Sequence, residues 1–198
     1  GKIFKRECRF VGKELTTMKL LNAKIENFRL LKNIDINFST DIEKNLTVIR
    51  AANQSGKTTL LHALQWGLYG NNGLPDSGKE FRKSPHIEDP KTTESVCEIK
   101  VDISYEIMST SGPKKYRLIR TSREKISGVD FQEESSKVHL FLMSRNGAVE
   151  EEHPDARISH DLSKDLREVF FTDGDRALSF IQGNRNEPMK RVEMAIRS

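Results

Sequence analysis

Nine residues in the first third of the chain constrain its fold most strongly. Residues 51–59 have the sequence AANQSGKTT, between an apolar run and a segment with helical spacing. The pattern G-x-x-x-x-G-K-[ST] wraps flexible backbone around a polyphosphate, brings a lysine to the outer phosphates and offers a hydroxyl to Mg²⁺. Its last three positions are Gly56, Lys57 and Thr58. A strand, a phosphate-binding loop and a helix N-terminus are therefore expected in that order.

The residues on either side of this loop support the interpretation. Leu46, Val48 and Ile49 form a β-prone run, which predicts a strand leading straight into the loop. Ala51 occupies the first glycine position of the pattern, so the loop must turn there within ordinary backbone regions. Beyond the loop, leucines recur at helical spacing, at Leu60, Leu61, Leu64 and Leu68. A chance G-K-T in a surface turn is the alternative, and the flanking strand and helix favour the nucleotide site.

Length, charge and cysteine content set wider bounds. The 198 residues suffice for one large domain, and a net charge of +4 suits a polyanionic partner or simply a solvated surface. Cys8 and Cys97 lack C-x-x-C spacing, so neither a zinc site nor a disulfide framework is indicated. No apolar run reaches the length of a membrane span. A soluble, cytoplasmic protein without a membrane partner is expected.

Alternating residues predict an antiparallel sheet on both sides of the loop. Residues 19–28 and 32–38 are predicted to be two strands around a turn at Lys32-Asn33, and residues 1–17 an N-terminal extension or cloning remnant. Residues 70–90 are rich in Gly, Pro, Asn and Asp, which predicts a long loop with at most one helical turn. Residues 96–107 alternate almost without fault, and with 114–125 and 138–144 they predict a β-meander.

The middle of this meander is strongly basic. Within twelve residues it carries six cations, Lys114, Lys115, Arg117, Arg120, Arg123 and Lys125. The first five of these are candidate DNA contacts, but basic residues on a sheet edge also guard against aggregation, and local sequence does not separate the two functions.

A helical pattern begins at Ser159 and leads into VFFTDGDRALSFIQGN. Asp173 follows an apolar run, as the Mg²⁺-holding aspartate of phosphate-loop ATPases does. Glycine, however, stands where a catalytic glutamate usually follows, and Asp173-Gly174 could equally form an ordinary turn.

The order of these elements resembles the N-terminal lobe of the SMC/SbcC-type DNA ATPases over residues 18–198. Within that superfamily, TTLLHALQWGLYG and the F-F-x-D-G-[DE] element most resemble the DndD family, ATPases associated with phosphorothioate modification of DNA. The resemblance implies an α/β fold: a mixed sheet with an antiparallel meander and flanking helices over 18–186, followed by the start of a coiled-coil helix over 187–198.

The same resemblance implies ATP and Mg²⁺ as ligands. It places Lys57 and Asp173 in catalysis, Thr58 and Asp173 at the metal, and a phosphate contact on Arg29 of the Asn27-Phe28-Arg29 element. A guanidinium suits that contact because its fork matches phosphate oxygens. The full nucleotide-binding set is Arg29, Asn53, Gln54, Ser55, Gly56, Lys57, Thr58 and Thr59.

Two functions from different classes remain open. The first is the N-terminal half of an ATPase that processes DNA in sulfur modification, defence or repair, completed by its own C-terminal lobe and a head-to-head homodimer, with modification or nuclease subunits as further partners. The second is a nucleotide-gated DNA-binding or scaffold module without efficient turnover. A metabolic kinase is disfavoured because no substrate-specific set of acids or bases accompanies the loop.

Overall fold

A seven-stranded antiparallel sheet forms most of the described structure. The computed structural model describes residues 18–41, 43–44, 46–50, 52, 55–75, 81–85, 95–109, 111–127 and 130–162. Its strands are β1 (Met18–Phe28), β2 (Leu31–Asn37), β3 (Ser95–Ser109), β4 (Gly112–Ser127), β5 (Asp130–Glu133), β6 (Lys137–Ser144) and β7 (Gly147–Glu150). Its helices are α1 (Lys57–Tyr69), a 3₁₀ turn at Gly70–Gly73, and α2 (Pro154–Asp161).

The strands follow the order β2-β1-β3-β4-β6-β7, and β5 pairs with β4. All six pairings among the described strands are antiparallel. The long β3–β4 hairpin together with β6 forms the predicted meander. The predicted α/β fold with an antiparallel meander and flanking helices is thus confirmed.

Helix α1 packs on one face of the sheet, and the core lies between them. Trp66 of α1 is fully buried, with its ring centroid 5.9 Å from that of Phe28. Gly67 lets the helix approach β3 closely, because a Cβ atom there would lie 2.7 Å from Cγ1 of Val101 and 2.8 Å from Cδ1 of Ile103. The sheet contributes the alternating apolar residues to this core, including Ala23, Ile25, Ile99, Tyr105, Leu118 and Leu140.

The turn between β1 and β2 differs from the sequence-based prediction. It lies at residues 29–30, before the predicted Lys32-Asn33, because Phe28 pairs with Leu31. Both residues of this pair are buried, so the core fixes the register. Positive φ angles at Asn27 (55°) and Arg29 (51°) allow the tight reversal.

The strand predicted directly before the phosphate loop is absent from the described sheet. Residues 46–50 have no regular secondary structure, and the Leu46 and Val48 side chains are 76% and 70% exposed. The prediction of a strand here was therefore wrong for the structure described. A β-prone run forms a strand only when another strand satisfies its N–H and C=O groups, and none of the described strands pairs with this one.

Helix α2 begins five residues earlier than the pattern from Ser159 predicted. Pro154 lies in its first turn and Asp155 follows, two residues that favour a helix N-terminus. The helical and aspartate-containing segments predicted after residue 162, and the extension at 1–17, lie outside the described residues. In the part of the chain that is described, no helix is long and apolar enough to cross a membrane.

Candidate nucleotide-binding site

The described half of the phosphate loop leads directly into α1. Gly56 precedes the helix with φ 98° and ψ 18°, a left-handed conformation that glycine adopts without a Cβ penalty. Its carbonyl accepts the first helical bond, from the N–H of Leu60 at 2.8 Å. The predicted order of loop and helix is thus observed, with the helix starting at Lys57.

Glycine at position 56 has a second physical cause. A Cβ atom there would lie 3.3 Å from Cδ2 of Leu31 and 3.6 Å from Cβ of Leu30. The loop therefore sits directly on the β1–β2 turn. This contact brings the loop next to Arg29, the residue for which a phosphate contact was predicted.

The N-terminus of α1 has the electrostatic character of an anion site. Within the described residues, no side chain caps it and its first turn contains no acidic residue. The first N–H groups of a helix have no partner within the helix, and its dipole places partial positive charge at this end. A phosphate group would satisfy both.

Side chains of the loop are arranged around one carbonyl. The Nζ atom of Lys57 donates to the Ala52 carbonyl oxygen at 2.8 Å, and the Ser55 hydroxyl donates to the same oxygen at 2.6 Å. Both Lys57 and Thr58 are exposed, whereas Thr59 is buried. Lys57 and Thr58 therefore present an ammonium and a hydroxyl on the solvent side of the helix N-terminus.

Thr58 and Thr59 open onto a cleft of about 470 Å³ that also contains Arg29. The structure thus brings together three predicted nucleotide-binding residues from two elements separated in sequence. The remaining lining residues are Leu30, His62, Arg82 and Ser84.

Arg29 is held at the cleft by its backbone and by an aromatic ring. Its N–H donates to the Lys83 carbonyl oxygen at 2.6 Å. Its guanidinium carbon lies 4.8 Å from the centroid of the Phe81 ring, within the range of a cation–π interaction. The His62 ring packs edge-on against the same Phe81 ring, with the two ring centroids 5.4 Å apart.

Arg82 is a cleft residue that the sequence reasoning missed. Its Nε donates to the Ser84 hydroxyl at 3.0 Å and its Nη2 to the Pro85 carbonyl at 2.9 Å. The only local signal was a basic Arg-Lys pair inside a loop otherwise rich in Gly, Pro and acidic residues. With Arg29, it gives the cleft two guanidinium groups, the side chains best suited to phosphate oxygens.

Other predicted site residues lie outside the described structure. These are Asn53, Gln54 and Asp173. Among the described residues, no group of three or more His, Cys, Asp or Glu side chains is placed to hold a metal ion. The hydroxyl of Thr58, at a helix N-terminus that no described side chain caps, fits one ligand of a Mg²⁺ ion whose other ligands would be phosphate oxygens and water.

The five candidate DNA contacts on β4 divide between the two faces of the sheet. Lys115, Arg117 and Arg123 are exposed on the face away from α1. Lys114 and Arg120 alternate with them and point toward the core side, where Lys114 is half-buried and Arg120 is buried. The basic segment therefore does not form one continuous surface.

The DNA contact predicted for Arg120 was wrong. Only 3% of this residue is exposed, and its Nε donates to the Gly67 carbonyl oxygen at 3.0 Å. Its Nη2 lies 2.9 Å from Oδ1 of Asp155, in the first turn of α2. Arg120 thus connects the C-terminal end of α1 to the N-terminal end of α2.

Carboxylates on β3 engage two of the exposed cations. Nη2 of Arg117 donates to Oδ2 of Asp102 at 2.6 Å. The hydrogen bonding to Asp102 raises the pKa of the guanidinium above its ordinary value. Arg123 pairs with Glu98 at 3.3 Å. No ion pair within the described residues involves Lys115, so its charge is the least compensated of the three.

Two comparisons with known proteins agree with this geometry. A family model described as an AAA domain matches residues 23–197. The chain is also 46% identical over 57 residues to the DNA double-strand break repair Rad50 ATPase of Methanosarcina mazei, a match that covers 29% of this chain and 5% of that protein. Together they support a phosphate-loop ATPase of the SMC and Rad50 type. Because the family model spans most of its length, the chain belongs to the AAA domain family.

Proposed function

We propose that this chain binds ATP with Mg²⁺ in the cleft between the phosphate loop and the β1–β2 turn. The observation that carries the proposal is the N-terminus of α1, which no described side chain caps, where Gly56 turns in the left-handed region and Thr58 faces the same cleft as Arg29. Phosphate oxygens would replace the Ala52 carbonyl as acceptors for the Lys57 ammonium. The adjacent Thr58 hydroxyl would then be a ligand of Mg²⁺.

Calorimetric titration of the chain with MgATP tests this proposal. Charge-assisted hydrogen bonds contribute about 1.5–3 kcal/mol, so Lys57→Ala should weaken binding at least about tenfold. Lys137→Ala is the matched control, because Lys137 is an exposed lysine on β6 and does not belong to the phosphate loop. Equal affinities of wild type and Lys57→Ala would contradict the phosphate-loop assignment.

We further propose that ATP hydrolysis requires parts beyond the described structure. By its resemblance to SMC-type ATPases, the lobe at 18–186 would be completed by its own C-terminal lobe and by a second copy in a head-to-head dimer. Asp173 would then act with Thr58 at the metal. In the complete protein, Thr58→Ala and Asp173→Ala should each reduce the Mg²⁺ dependence of turnover. ATP binding without Lys57-dependent turnover there would instead support a nucleotide-gated module.

DNA is the proposed partner that this ATPase acts on, within the cytoplasm. Support comes from the similarity to a DNA repair ATPase and from the exposed cations of β4. Lys114 pairs with Ile107, which lies opposite Met18 at the start of β1. The cleft lies at the other end of β1, beyond Phe28. A DNA contact at Lys114 and Lys115 would therefore be at the far end of the sheet from the nucleotide.

The finer assignment to DNA sulfur modification rests on the resemblance of residues 58–70 and 170–175 to DndD. If it holds, duplexes carrying phosphorothioate linkages should change the turnover of the complete protein more than matched unmodified duplexes do. Equal effects of the two duplexes would leave the ATPase proposal in place and remove this pathway.

A further inference from the structure

The segment Phe81–Pro85 forms one wall of the cleft and is held by an unusual device. It has no regular secondary structure, yet Lys83 is 0% exposed and Ser84 only 2%. Irregular segments normally lie on the surface, where water satisfies their backbone. Here the backbone and a lysine side chain must find partners inside the protein.

Glu124 of β4 supplies those partners. Its Oε1 accepts the Lys83 backbone N–H at 2.9 Å, and its Oε2 accepts the Ser84 backbone N–H at 2.8 Å. One carboxylate thereby satisfies two consecutive N–H groups. Glu124 is itself 0% exposed, so its charge is compensated by protein groups.

The compensating charge is the Lys83 ammonium. Its Nζ lies 3.3 Å from Oε1 of Glu124 and 2.8 Å from Oε2 of Glu133 on β5. Neither contact has hydrogen-bond geometry, so both are ionic. Two carboxylates and one ammonium thus share a site beneath the cleft wall.

Neutral groups extend this network to the helix that carries the phosphate loop. The side-chain Nδ2 of Asn71 donates to Oε2 of Glu133 at 3.0 Å, and the side-chain Oδ1 of Asn71 accepts the Trp66 indole N–H at 3.0 Å. Segment 81–85 is therefore fixed to β4, to β5 and to the C-terminal half of α1.

Packing alone does not require this arrangement. Charges taken out of water pay a desolvation cost that their mutual attraction only partly offsets, and apolar side chains of similar volume often stabilise a core better. What the carboxylate does, and an apolar side chain cannot do, is fix the direction of two backbone N–H groups. Glu124 therefore fixes the position of segment 81–85 more than it stabilises the core.

The residues whose position is fixed are those of the cleft. Arg82 and Ser84 flank Lys83 and line the cleft, and the Lys83 carbonyl accepts the Arg29 N–H. We propose that Glu124, through Lys83 and Ser84, is a positioning residue that holds the Arg82 guanidinium where the phosphates of the bound nucleotide lie. This inference rests on the proposed function.

A double-mutant cycle between Glu124→Gln and Arg82→Ala tests the inference. Affinity of the chain for MgATP is measured by calorimetry in wild type, both single variants and the double variant, with Glu98→Gln, an exposed carboxylate on β3, as the control. We expect each single variant to lose about tenfold in affinity. The double variant should lose no more than the weaker single variant, because Glu124 acts through Arg82.

The outcomes separate the inference from the proposed function. No binding by wild type overturns both. Binding by wild type with unchanged affinity in Glu124→Gln overturns the inference alone, as do independent losses that multiply in the double variant. If Glu124→Gln does not fold, the pair Lys83→Met with Glu124→Gln takes its place in the same cycle and is judged by the same criterion. This pair removes the Lys83 and Glu124 charges together and leaves Glu133 with its hydrogen bonds from Asn71 and Ser122.

Discussion

The two walls of the cleft are held in place by different kinds of interaction. The phosphate loop depends on backbone geometry: a left-handed Gly56 and a close contact with the β1–β2 turn. Segment 81–85 depends on charges that no solvent reaches, centred on Lys83 and Glu124. The first kind of wall is encoded in consecutive residues and the second in residues far apart. Substitutions of exposed side chains at the first wall should therefore affect function, whereas substitutions of the buried charges at the second should affect stability together with function.

The largest effect is expected for Glu124→Ala. Removing one partner of a buried ion pair costs about 3–5 kcal/mol, because the remaining charge and two backbone N–H groups lose their partner. Urea unfolding measures this cost. Glu98→Ala, which removes the exposed partner of Arg123, should stay within about 1 kcal/mol of wild type. Similar costs for the two variants would show that the second wall does not depend on buried charge.

A smaller effect, confined to ligand binding, is expected for Arg29→Ala. This residue joins the two walls, since its N–H meets the Lys83 carbonyl while its side chain faces the cleft. Loss of a charged hydrogen bond to phosphate should weaken MgATP binding by about 1.5–3 kcal/mol, measured by calorimetry. Lys32→Ala, an exposed cation on β2, should bind as wild type does. An unaffected Arg29→Ala would remove Arg29 from the phosphate contacts.

Gly56→Ala should destabilise the chain by about 1–2 kcal/mol through its left-handed backbone, and somewhat more through crowding against Leu31. Gly147→Ala separates the cost of the left-handed backbone from the cost of crowding, because Gly147 also has positive φ but no atom within 4 Å of an added Cβ. Thermal unfolding of both variants gives the comparison. A cost at Gly56 no greater than at Gly147 would mean that the contact with the β1–β2 turn adds nothing.

The smallest effect is expected on DNA binding. Lys115→Gln should lower the slope of log affinity against log salt by about 0.9, the release of one counterion. Arg117→Gln should change it less, because Asp102 already compensates that guanidinium. Fluorescence anisotropy with a duplex at several salt concentrations measures both slopes. Equal slopes in wild type and Lys115→Gln would exclude this residue from the DNA surface.

Periodicity in the sequence predicted the faces of elements better than their partners. The alternation of β3 and the leucine spacing of α1 correctly identified the sides that form the core. The β-prone run at 46–50 and the turn at 29–30 were mispredicted, because pairing and register depend on residues elsewhere. The phosphate-loop motif placed Thr58 at the candidate site, whereas Asn53, Gln54 and Asp173 remain predictions.

One feature of the sequence of β4 indicates the buried charges of the second wall. Positions 120, 122 and 124 of β4 are in phase with the buried Tyr116 and Leu118, yet they are Arg, Ser and Glu. Polar residues in the core phase of a strand indicate buried partners. The partner of Glu124 lies 41 residues away in an irregular loop, so the pattern of β4 does not identify Lys83 as that partner.

Arg120 connects the C-terminal end of α1, the helix that follows the phosphate loop, to α2. The 13 residues of α1 extend about 20 Å at 1.5 Å per residue, and a hydrogen-bonded helix is stiff along its axis. The Arg120 guanidinium donates to the Gly67 carbonyl near the C-terminal end of this helix and to the Asp155 carboxylate at the start of α2. A displacement of α1 along its axis would therefore either break these two Arg120 contacts or move them together with the helix.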